Sequence, residues 1–104
     1  MDSLQNRPAD QALLIQFHWD CGRSGHVEGL FVSTPKALLE GIGQHVYFGE
    51  ILGKHSDVYG RLEAGDLKLV TDDAELISKL VGYLGRSVSG YNPLDYMRSD
   101  DEEE

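Results

Sequence analysis

The chain is short of cysteine, of basic residues and of long apolar runs, and each shortage excludes something. A single cysteine, Cys21, rules out an intramolecular disulfide, so the fold cannot rest on a disulfide framework. A reducing, cytoplasmic setting is the expectation. The longest apolar run, Ala12 to Ile15, is far below the roughly 20 residues that a membrane-spanning helix requires. The opening stretch MDSLQNRPAD has neither a basic n-region nor an apolar h-region, so no signal peptide is expected. Basic residues number 9 against 18 acidic ones, giving a net charge of −9. Such a surface repels phosphate backbones, so direct nucleic-acid binding is not expected, whereas a protein partner with a basic surface is favoured.

Five of the negative charges lie in the run Asp100, Asp101, Glu102, Glu103 and Glu104. Residues 98–104 therefore read as a solvated, disordered acidic tail. Residues 1–10 are polar, contain Pro8, and read as a flexible lead-in. A chain of 104 residues with 40% hydrophobic content suffices for one domain with its own core. The domain is placed at 11–86, followed by a C-terminal segment at 87–97.

From Gln11 the apolar pattern has a period of two. Leu13, Ile15, Phe17 and Trp19 project to one side, and Leu14, Gln16 and His18 to the other, as in a β-strand. DCGRSG then offers turn residues, and HVEGLFVS resumes the strand pattern with Val27 and Phe31 on one face, which makes a hairpin. Thr34-Pro35 is a helix start, a hydroxyl cap before a proline whose missing N–H costs nothing there. The helix ends at Gly41 or Gly43. QHVYFGEIL, DVYGRLE and DLKLVT are three further strands, separated by GKHS and by a tight turn at Ala64-Gly65. Asp72 and Glu75 have the spacing of a capping box for a helix over 73–84. Its apolar positions are Leu76, Ile77, Leu80, Val81 and Leu84, and Gly85 stops it. The order ββαβββα implies an α+β domain, a single antiparallel sheet with both helices on one face.

Chemistry is sparse. His18, Cys21 and His26 have the spacing H-x₂-C-x₄-H of three zinc-knuckle ligands, but the fourth position falls on Phe31, which cannot coordinate. The glycines between them already account for a turn, so no metal is expected. Gly53-Lys54 resembles the end of a phosphate loop, yet the glycine required five positions earlier is Phe48, and a strand rather than a helix follows. Cys21 beside two histidines, and Ser56 beside His55, match no nucleophile motif; no catalytic residue is assigned and no enzyme is expected. Asp72 and Asp73 are first-turn helix acids, not a catalytic pair.

The richest stretch is the 47–61 hairpin, which gathers Tyr47, Glu50, Lys54, His55, Ser56, Asp57, Tyr59 and Arg61. Tyrosine favours protein interfaces, and Tyr91 and Tyr96 near the C-terminus extend the candidate contact set, whether that segment packs back or serves as a linear motif. The expectation is a small acidic, non-enzymatic protein-interaction module without a cofactor, acting as an inhibitor or adaptor. Blocking a basic nucleic-acid-handling machine, as a phage-type anti-defence protein would, is one role of that kind. The alternative is a small anionic-ligand or nucleotide-binding domain in which the Gly53–Ser56 loop grips the anion. Self-association into a dimer is compatible with strands that are apolar on two sides.

Overall fold

The computed structural model describes residues 4–53 and 57–98. Strands β1 (Leu13–Asp20) and β2 (His26–Ser33) form the expected hairpin, paired from Leu13↔Ser33 to Asp20↔His26. Helix α1 (Pro35–Gly41) follows, then β3 (His45–Gly49), β4 (Val58–Arg61), β5 (Leu67–Thr71) and helix α2 (Ala74–Leu84). Two strands of two residues each close the described chain, β6 (Ser89–Gly90) and β7 (Met97–Arg98). The α+β class holds, with antiparallel pairing throughout.

The single sheet does not. The strands divide into a four-stranded sheet, β5-β1-β2-β6, and a three-stranded sheet, β4-β3-β7, and the last two strands extend the expected ββαβββα order. The division comes from where the apolar residues go. Leu13, Ile15, Phe17, Val27 and Phe31 of the first sheet bury one face against Val46, Phe48 and Val58 of the second. Leu14 and Val32 point the other way and meet Ile77 of α2. β1 is therefore covered on both sides, which is why Leu13, Leu14 and Ile15 are buried in succession. Each such aliphatic or aromatic side chain contributes about 1.5–3 kcal/mol by leaving water.

The helices consequently lie on opposite faces of the four-stranded sheet, not on one. Leu38 of α1 enters the core between the sheets, whereas Ile77 of α2 sits on the far side. Thr34 caps α1 as expected, its Oγ1 accepting the Ala37 N–H at 3.2 Å. For α2 the cap is Asp73 rather than Asp72: its carboxylate accepts the N–H groups of Glu75 and Leu76 at 3.1 and 3.3 Å. Asp72 instead accepts a hydrogen bond from Arg7 Nη1 at 2.6 Å. That guanidinium holds the Asp72 carboxyl below its ordinary pKa, through the hydrogen bond first and its charge second. Leu4, upstream of Arg7, is buried in the inter-sheet core.

The Ala64-Gly65 turn is also not a hairpin turn. Ala64–Asp66 forms a single 3₁₀ turn that carries the chain from one sheet to the other, and Leu62 and Leu67 on either side both enter the shared core. Asp66 fixes this crossing. Its Oδ2 accepts the Trp19 indole N–H at 2.8 Å and the Glu63 backbone N–H at 2.9 Å.

The segment after α2 links the two sheets, since β6 pairs with β2 and β7 pairs with β3. Gly29 makes that possible: a Cβ there would run into the Tyr91 carbonyl, so only glycine lets the returning chain come this close. Among the described residues no helix is long and apolar enough to cross a membrane.

Candidate functional site

The three-stranded sheet has one face on the core and one turned outward, and alternation decides which residues stand where. On β3, Val46 and Phe48 are buried. On β4, Val58 is buried and Tyr59 points away. The antiparallel register sets His45 opposite Arg61 and Tyr47 opposite Tyr59. The two tyrosine rings stack with centroids 6.3 Å apart and planes 22° apart. His45 adjoins the same patch, its ring 6.0 Å from that of Tyr59. Arg61 donates from Nη1 to the Gly43 carbonyl at 2.9 Å, which anchors the guanidinium beside the patch.

A bulge between Tyr47 and Gly49 sharpens the separation of faces. Gly49 opposes Val58 with φ at +83°, a conformation that favours glycine, and Phe48 is the extra residue turned into the core. Around Phe48 stand Phe17, Trp19, Tyr91 and Tyr96, with centroid separations of 5.9, 5.5, 5.5 and 4.7 Å. Tyr91 and Tyr96 thus belong to the cluster around Phe48, apart from the Tyr47–Tyr59 pair. Tyr91 is half-buried, while Tyr96 keeps an exposed edge.

Tyr59, by contrast, is 61% exposed although it lies in the middle of a paired strand. A ring of this size, stacked on a second ring and flanked by an imidazole and a guanidinium, offers apolar area with polar tips. That combination enriches protein-contact surfaces. Glu50 and Asp57 are exposed at the two ends of the connection between β3 and β4. Lys54, His55 and Ser56, and with them the expected anion-gripping loop, lie outside the described residues. His45 was the residue missing from the sequence-derived contact set. Its signal was there: it lies two positions before Tyr47, on the same side of a strand of period two.

The H-x₂-C-x₄-H stretch comes apart in the structure. Cys21 packs with Trp19 against the inter-sheet core. His18 and His26 stand together on the opposite face, exposed, with His18 Nε2 3.3 Å from His26 Nδ1. The thiol and the imidazoles are therefore not a nucleophile and its base. Among the described residues no group of three or more His, Cys, Asp and Glu side chains is placed to hold a metal ion.

Comparisons of the chain with protein-family models, with curated proteins and with solved structures found no match.

Proposed function

We propose that the chain is a small acidic protein-interaction module whose contact face is the outer side of the β3–β4 ribbon. Tyr47 and Tyr59 supply the contact area, and His45 and Arg61 the polar rim. The observation that carries this reading is Tyr59, 61% exposed and stacked on a half-buried Tyr47, on a strand pair whose other face is committed to the core. A net charge of −9 complements it by steering a partner with a basic surface toward the module before short-range contact. Acting by occupation of a partner's surface, the module is an inhibitor or adaptor and needs no catalytic group.

The test compares three baits in lysate of the source cells: the parent chain, Tyr59→Ala and Arg61→Ala. A protein retained by the parent is expected to be lost from Tyr59→Ala, weakened with Arg61→Ala, and released as salt rises. Equal retention by all three baits overturns the proposal.

A further inference from the structure

We propose that His18 and His26 form a bidentate binding site for a divalent transition metal ion of zinc type. The two nitrogens of a tetrahedral zinc site, each ~2.0–2.1 Å from the ion, stand about 3.3–3.4 Å apart. His18 Nε2 and His26 Nδ1 are separated by 3.3 Å. The rings are tilted by 35° with centroids 5.2 Å apart, and these two nitrogens are the atoms that meet between them.

The pair is assembled by the backbone, which lowers the entropy cost of chelation. His18 lies on β1 and His26 opens β2, on the same face as Leu14 and Val32. The turn between them is tight: the Cys21 N–H donates to the Gly25 carbonyl at 2.8 Å, and the Gly22 N–H to Asp20 Oδ1 at 2.9 Å. Gly22 takes φ of +67° there. In the strand register each imidazole stands directly across from a carboxylate, His18 from Glu28 and His26 from Asp20. These acids favour a cation at the pair, and the charge opposing them on the turn is Arg23.

A hydrogen bond between two neutral imidazoles at this distance has one facing nitrogen donating and the other accepting. The ion takes the place of that hydrogen. Both facing nitrogens then present lone pairs, with the ring N–H groups on His18 Nδ1 and His26 Nε2, so one ring changes tautomer and no net proton is released from two neutral imidazoles. Water completes the coordination. Imidazole selects zinc, copper or nickel over magnesium and calcium, which prefer oxygen ligands.

The test is calorimetric titration of the full chain with zinc chloride, in excess magnesium to occupy the acidic C-terminal run. One zinc per chain is expected, with affinity weakened by about tenfold or more in both His18→Ala and His26→Ala. Imidazole NMR signals of the parent chain supply a second reading that needs no variant: both rings are expected to shift together as zinc is added. Zinc affinity unchanged in the variants, or an imidazole response confined to one ring, or no response, overturns the site.

Discussion

Replacing Asp66 with alanine should destabilise the domain well beyond what an ordinary turn residue would. Its Oδ2 is the acceptor for both the Trp19 indole N–H and the Glu63 N–H, at 2.8 and 2.9 Å. Trp19 cannot simply turn to water. It is held edge-on against Phe17 and Phe48, with centroids 5.2 and 5.5 Å away. The truncation therefore leaves a half-buried N–H without its acceptor and loosens the crossing between the sheets. Hydrogen bonds to a charged group contribute about 1.5–3 kcal/mol each, and partial exposure of Asp66 puts these at the low end, for a total of about 2–3 kcal/mol. For a domain of this size that corresponds to a fall of roughly 10–20 °C in Tm. Asp66→Asn retains an acceptor oxygen and should lose less than half as much. The assay is urea unfolding followed by fluorescence of Trp19, the single tryptophan. If Asp66→Ala unfolds within about 0.5 kcal/mol of the parent chain, the role given to this carboxylate is wrong.

Phe48→Ala empties the centre of the aromatic cluster and should cost about 3–5 kcal/mol in the same urea assay, with the near-ultraviolet dichroism of the aromatic residues collapsing. Gly29→Ala pushes a methyl group into the Tyr91 carbonyl, so it should destabilise by about 1–3 kcal/mol and speed proteolytic cleavage within 87–97. Arg7→Ala should raise the pKa of Asp72, read by NMR titration. Because the folded-state pKa is lowered, the pair's stabilisation is present above the ordinary carboxyl pKa and is lost as pH falls through the lowered one. Asp72 is exposed, so the loss should be small and should shrink further in salt.

What the sequence made legible was face, and what it hid was neighbourhood. A period of two assigns Phe17 inward and His18 outward whichever strand lies alongside, so the β1–β2 hairpin and its inward residues could be read directly. The same period says nothing about which strand pairs with which. β4 and β5 are separated by a turn short enough for a hairpin, yet they belong to different sheets because Leu62 and Leu67 seek one core from opposite sides. β6 and β7 are too short to carry any period, and the glycine contact that admits them, Gly29 with Tyr91, depends on distant parts of the chain. The cap of α2 was missed by one residue because Asp72 and Asp73 are chemically equivalent candidates, and only the position of Arg7 distinguishes them. At the candidate site, Tyr47, Tyr59 and Arg61 could be found from their spacing on two strands. Tyr91 and Tyr96 stand apart from them because the chain after α2 returns onto the core side of the same strand, against Phe48, which no local pattern signals.

Two exposed apolar surfaces compete for the role of contact face: the β3–β4 ribbon, and the outer side of α2, where Leu76, Tyr83 and Leu84 are exposed. NMR titration of the labelled full chain with a protein it retains separates them. Shifts concentrated at His45, Tyr47, Tyr59 and Arg61 are expected. Shifts concentrated at Leu76, Tyr83 and Leu84, with the ribbon silent, would contradict the assignment of the face.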